Sequence, residues 1–261
     1  MRFFRMTLAY EGTAYGGWQM QVNSHTIQAE VERALQIVTG QSIRAVASGR
    51  TDAGVHSIGQ VVSFACETHL TSDVLQRALN ANLPRDIVAL DIRDAAPGFH
   101  AIRDTVRKRY RYCIQDGPLR DVFARRHAWY CSHRLDVRAM SQAGRLLVGR
   151  HDFSSFEASG SKRASSVRTI FDLAVHRQTI EAFDRIVIEV EADGFLYNMV
   201  RNIVGTLVQV GRGKRPVNWV AEVLKAKDRK RAGSTAPPEG LFLLRVWCVG
   251  DREQGLKDGS S

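Results

Sequence analysis

The stretch SGRTDAGVHSIGQVVSF, residues Ser48 to Phe64, sets the carboxylate of Asp52 two places after Arg50 and closes on Gly54 before entering an apolar run. Asp-x-Gly is first of all a turn, because the aspartate can cap its own backbone and glycine takes a positive φ. The same carboxylate becomes a nucleophile or base if a cation holds it ionised. A second unusual position lies in FLYNMVRNIVGTLVQV, where Leu196, Met199, Val200, Ile203, Leu207 and Val210 form an apolar stripe. Tyr197, Arg201, Gly205 and Val208 form another face, so the spacing predicts a charged residue on a mostly buried helix over 195–210. Such an arginine snorkels, joins a structural ion pair, or meets a functional anion. Asp52 is that anion if its loop folds toward a cleft, and the arginine is then expected to lower its pKa.

Other chemistries fail on spacing. Gly213-Lys214 is followed by Arg215, and Val208 stands where a P-loop needs its first glycine. His127, Cys131 and His133 lack a fourth ligand at zinc spacing, and no HxE with PCxxC occurs. Thr51-Asp52-Ala53-Gly54 is like the turn of an aspartic protease, which needs a second carboxylate that no other such turn in the chain supplies. Against 27 Asp and Glu stand 37 Lys and Arg, a net charge of +10 that favours a polyanionic partner. The arginines gather in RDTVRKRYRY (103–112) and LRDVFARRH (119–127), interleaved with aromatics as a surface for phosphates and bases would be, a pattern that a non-catalytic RNA-binding module would share with an RNA-modifying enzyme. Four dispersed cysteines, no signal-like start and no apolar run of membrane length point to reduced thiols in a cytoplasm.

The elements that must position these residues follow from periodicity. Strands are predicted over 3–10, 60–66 and 86–92, and helices over 26–39 and 72–82. A further strand leads into the Asp52 motif. The rest of the chain repeats the order: strands over 106–115, 168–177, 185–192 and 241–249, with helices over 136–148, 195–210 and 216–226. The expectation is an α+β fold of two similar halves, 1–104 and 105–250, each a mostly antiparallel sheet with helices on one face, flanking a central basic cleft. Residues 251–261 read as a polar tail.

Eight segments in register along nearly the whole chain carry a resemblance. GRTDAGVHSIGQVVSF resembles the signature of the TruA-type tRNA pseudouridine synthases, and so do GWQMQ, LNANLPRDI, FHA, KRYRY, HDFSSF, DGFLYNMVRNIVGTLVQVGRGKRP and APPEGL. The resemblance implies isomerisation of uridine to pseudouridine at positions 38 to 40 of the tRNA anticodon stem-loop, with no cofactor, no metal and no membrane. It implies a homodimer in which one tRNA touches both chains. It makes Asp52 the nucleophile, attacking C6 of the base or C1′ of the ribose, and makes Tyr110 the ring that stacks on the base and assists loss of the C5 proton. Arg201 is implied as the partner of Asp52, and Arg50 as the residue that fills the space of the flipped-out base. Where relatives carry FHAR, this chain has Ile102 and places Arg103 one position later, which on a strand turns it to the opposite face. His56 and His100 flank motifs, but neutral rings satisfied by backbone hydrogen bonds suit them better than catalytic roles.

Overall fold

The first strand shows why the sheet forms. In RFFRMTLAY the residues Phe4, Met6, Leu8 and Tyr10 alternate with more exposed ones, so one face of the strand must be covered. A computed structural model of the chain describes residues 1–158, 165–180 and 183–251. The strands are β1 (Arg2–Tyr10), β2 (Val46–Ala47), β3 (His56–Cys66), β4 (Ile87–Asp94), β5 (Thr105–Asp116), β6 (Trp129–Cys131), β7 (Gly149–Asp152), β8 (Val167–Ile180), β9 (Phe183–Ala192) and β10 (Leu241–Cys248). The helices are α1 (Ile27–Thr39), α2 (Ser72–Asn82), α3 (Val137–Arg145), α4 (Met199–Gly211) and α5 (Trp219–Ala226). Of the predicted 251–261 tail only Asp251 lies within the described residues, and it pairs with Arg5.

All ten strands join one mostly antiparallel sheet, in the order β4-β1-β3-β10-β5-β9-β8-β7, with β2 beside β3 and β6 beside β5. The last strand in sequence, β10, is the join: it runs parallel to β3 through Phe242 and Leu243 and antiparallel to β5 along most of its length. Two cores lie along this sheet. One packs β1, β3 and β4 against Ile27, Val31, Ala34 and Leu35 of α1 and Leu75 and Leu79 of α2. The other packs β5, β8, β9 and β10 against α3, α4 and α5.

Three helices are shorter than the sequence pattern suggests. Asn198 takes a left-handed φ of 58°, so α4 starts at Met199 and not at 195, although Leu196 is still buried. The segment 216–218 turns before α5 begins at Trp219. α3 is confined to 137–145. β3 in turn starts at His56, four residues earlier than the apolar run.

The arginines of RKRYRY (107–112) do not present free charge. Arg107, Arg109 and Arg111 project from one face of β5 and pair with Glu189 and Glu191 of β9 at 2.6 to 2.9 Å, while Tyr110 and Tyr112 point to the helix-covered side. This cross-strand ladder corrects the reading of that stretch as a phosphate surface.

Candidate active site

Asp52 lies in the loop between β2 and β3. Its carbonyl accepts from the Val55 N–H at 3.1 Å, and Gly54, at φ 76°, occupies the left-handed position that this turn requires. Buried polar side chains hold the loop from below. The Tyr10 hydroxyl lies 2.8 Å from the Thr51 hydroxyl. Gln60, fully buried, accepts from the Ser48 hydroxyl at 2.7 Å and donates to the Gly49 carbonyl at 2.8 Å. Lys108 donates to the Ser48 carbonyl at 2.8 Å. Each group satisfies another that burial would otherwise leave unpaired, so the network fixes where the loop leaves the sheet.

The GWQMQ segment packs against the same loop. Trp18 N–H donates to the Thr51 carbonyl at 3.0 Å and Gly54 N–H to the Tyr15 carbonyl at 3.3 Å. Gly17 has a φ of 93°, and a Cβ there would stand 2.5 Å from the Thr51 carbonyl oxygen and 3.0 Å from the Asp52 carbonyl carbon. Only glycine lets the two backbones approach this closely.

Arg201 reaches the loop from the other half of the sheet. Its Nη1 stands 3.4 Å from Asp52 Oδ2 and donates to Asn198 Oδ1 at 2.9 Å, while Nε donates to the Ala236 carbonyl at 2.7 Å. The strap 232–238 is pressed on α4 because Gly205 has no side chain: a Cβ there would fall 1.7 Å from the Ser234 carbonyl oxygen. Asn202, fully buried, fixes it further by accepting from Arg229 and Thr235 and donating to the Phe156 carbonyl. The Tyr112 hydroxyl donates to the Pro237 carbonyl at 2.7 Å, tying the strap to β5 as well.

Tyr110 completes the group. It is 8% exposed and its ring meets Phe195 edge-on at 5.0 Å. Burial, with the charges of Tyr10 and Asp52 adding to it, pushes its phenol well above the usual tyrosine value. Arg50, two residues before Asp52, is exposed and has no hydrogen bond or ion pair with any described residue.

Asp52 itself departs from expectation. Burial pushes its carboxyl above the ordinary aspartate value and outweighs the opposing pull of Arg201. The loop shields the side chain, 28% exposed, more than one guanidinium contact at 3.4 Å compensates. Chemically, the site holds a desolvated carboxylate in reach of a fixed cation, beside an aromatic ring, with a free cation at its rim. That arrangement can present a carboxylate nucleophile to a group held against the ring, whereas an aspartic hydrolase would need a second carboxylate.

The remaining expectations sort out simply. His56 is buried and neutral: Nδ1 accepts from the Gly12 N–H at 3.0 Å, Nε2 lies 3.2 Å from the Glu239 carbonyl, and burial lowers its pKa. His100 Nδ1 accepts from the N–H groups of Ile102 and Arg103. Residues 101–104 form a turn, not a strand, so the opposite-face argument for Arg103 does not apply; its guanidinium lies against the Gly98 carbonyl and Asp104. Among the described residues one trio, Glu11, His56 and His127, comes within metal-ligand distance, but both nitrogens of His56 are engaged by backbone, so it offers no free lone pair. Cys131 is buried and accepts from Arg212, away from this trio. No helix among the described residues is long and apolar enough to cross a membrane.

The sequence singles out Asp52, Arg201, Tyr110 and Arg50, and the fold brings the first three together. The sequence pattern misses Tyr10, Thr51, Gln60, Lys108, Gly17 and Asn198. All but Tyr10 lie inside segments that carry the resemblance, but only Gln60, an amide inside the apolar run after GRTDAG, is itself a signal, because a strand seldom buries an amide without a purpose.

Comparison with known proteins points the same way. The sequence model of a family described as tRNA pseudouridine synthase matches residues 6–101 and 143–247. The tRNA pseudouridine synthase A of Thermoanaerobacter sp. (strain X514) is 43% identical over 246 residues, covering 94% of this chain and 99% of its own. That of Geobacillus sp. (strain WCH70) is 46% identical over 246 residues, covering 93% and 97%. That of Acetivibrio thermocellus is 42% identical over 248 residues, covering 95% and 100%. The chain belongs to the tRNA pseudouridine synthase family, whose members are isomerases acting on tRNA.

Proposed function

We propose that this synthase converts uridine to pseudouridine at positions 38 to 40 of the anticodon stem-loop, with Asp52 as the nucleophile. The observation that carries the reading is the meeting of Asp52 with Arg201, 149 residues apart in sequence, at 3.4 Å beside the Tyr110 ring. In the proposed reaction the target base leaves the stack and Arg50 fills its place, at a cost of a few kcal/mol that phosphate contacts and stacking on Tyr110 offset. The Asp52 carboxylate adds at C6 of the uracil or C1′ of the ribose. The N1–C1′ bond breaks, the base turns, a C5–C1′ bond forms and the aspartyl bond is released, while the C5 proton passes to solvent and N1 takes one up. Atoms balance without a cofactor.

The raised phenol of Tyr110 keeps that ring protonated at neutral pH, which supports a stacking role over that of a resident phenolate base. We take residues 1–104 and 105–250 as the two halves that bring Asp52 and Arg201 to the cleft. By the same resemblance the working form is a cytoplasmic homodimer with one tRNA spanning both chains. The test is tritium release from tRNA transcripts carrying 5-tritiated uridine, without added metal. The wild-type chain is expected to release label from positions 38 to 40, and Asp52→Asn to fall at least ~10³-fold while still binding tRNA. Full activity of Asp52→Asn would remove the nucleophile assignment.

A further inference from the structure

The loop 117–128, between β5 and β6, displays apolar side chains to solvent: Phe123 is 85% exposed, Leu119 73% and Val122 58%. It is a built display. Asp121, 4% exposed, accepts from the N–H groups of Phe123 and Ala124 and pairs with Arg185 at 3.0 Å. Gln115 accepts from the Asp121 N–H and donates to the Leu119 carbonyl. Ala124 and Ala128 are buried beneath. A loop so anchored holds Phe123 in one place, and the ordering cost of a contact made there is already met.

Charge decides what the contact is. Arg120, Arg125 and Arg126 flank Phe123 in sequence, all exposed, none ion-paired with any described residue. The one acid of residues 117–133, Asp121, is buried and already paired. Arg120 lies over the Tyr130 ring at 4.9 Å, and Arg125 donates to the Val122 carbonyl at 3.1 Å, which holds both side chains against this loop and the strand that follows it. A second copy meeting this patch about a two-fold axis would face its own cations, whereas a polyanion with stacked bases meets both the charge and the ring.

The loop also sits at the catalytic end of the sheet. His127 packs on Phe242 at 6.1 Å and on His56 at 5.3 Å, and His56 lies four residues after Asp52. We infer that loop 117–128 is a second RNA contact outside the pocket, in which Phe123 stacks on a base while Arg120, Arg125 and Arg126 hold flanking phosphates. This rests on the reading of the chain as a tRNA-modifying enzyme.

The experiment measures direct binding of an unmodified tRNA transcript over a salt series, with turnover and sedimentation in parallel. Phe123→Ala is expected to weaken binding about tenfold with the salt slope unchanged. The pair Arg125→Ala with Arg126→Ala is expected to weaken it and to flatten the slope of log K against log salt by roughly 1.5. At saturating tRNA both should keep wild-type kcat, and both should melt as the wild type does, because all three side chains are exposed. Binding unchanged within about twofold in both variants overturns the inference, and so does a drop in sedimenting mass for Phe123→Ala, which makes the patch a contact between copies. A wild type that binds tRNA without releasing label would sink the proposed isomerisation yet leave this surface to be judged by the binding data alone.

Discussion

Asp52 sits on a loop held by hydrogen bonds among buried polar side chains, whereas Arg201 projects from a helix buried on nearly every face. On the Asp52 side Tyr10, Thr51, Ser48 and Gln60 lie at or below 6% exposure and all have partners. On the Arg201 side Met199, Val200, Ile203, Val204 and Leu207 fill an apolar core, and only the guanidinium and Gln209 of the α4 side chains after residue 200 reach toward solvent. Loops need directional bonds to stay put, because they have no repeating backbone ladder of their own, while a helix is fixed by burying its faces. The nucleophile is therefore positioned by polar chemistry and its partner by packing, so the two should fail differently when disturbed.

The largest effect that tests this contrast is at the partner. Arg201→Gln leaves the burial of Asp52 unopposed, so the carboxyl rises further above the ordinary aspartate range. The attacking form is the ionised one, and activity is lost as pH falls through that pKa. The acid limb of kcat/KM should therefore move to higher pH in Arg201→Gln, with a loss of ~10²- to 10³-fold at neutral pH. An unmoved limb would mean that Arg201 does not set the charge state of Asp52.

Next is Gly17→Ala. Its Cβ would meet the Thr51 carbonyl at 2.5 Å from a backbone at φ 93°, so the loop must shift. We expect ~1–3 kcal/mol lost in chemical denaturation and kcat lowered ~10²-fold, with tRNA affinity kept. Wild-type kcat in a destabilised Gly17→Ala would separate loop position from catalysis and break the comparison.

The smallest is Gln60→Leu. It strands the Ser48 hydroxyl and the Gly49 carbonyl, for a cost of about 1–3 kcal/mol in stability. About tenfold in kcat with KM unchanged is expected, from a loop that is looser but not displaced. A change confined to KM would assign Gln60 to substrate contact instead.

Much of this could be read in advance. The order of strands and helices, the amphipathic helix α1 with its Thr26 cap and Gly40 stop, and the oddity of Arg201 on an apolar helix all follow from local pattern. The pattern missed the start of α4, because nothing local says that Asn198 will turn left-handed to accept from Arg201. It also gave KRYRY a phosphate-binding face, because the glutamates that neutralise it lie on β9, some 80 residues away.

Residue type and period are local quantities, and they were enough to determine the α+β class, the Asp52 turn and the charge of the chain. Which groups meet is set by strand order and by close approaches between distant segments. Only the fold decided that β10 would join the two cores, that Gly17 would lie against Thr51, and that Arg201 would stand beside Asp52. Only the fold, too, decided that burial would outweigh that arginine in setting the charge of the carboxyl, since desolvation depends on everything packed around the group and not on its neighbours in sequence.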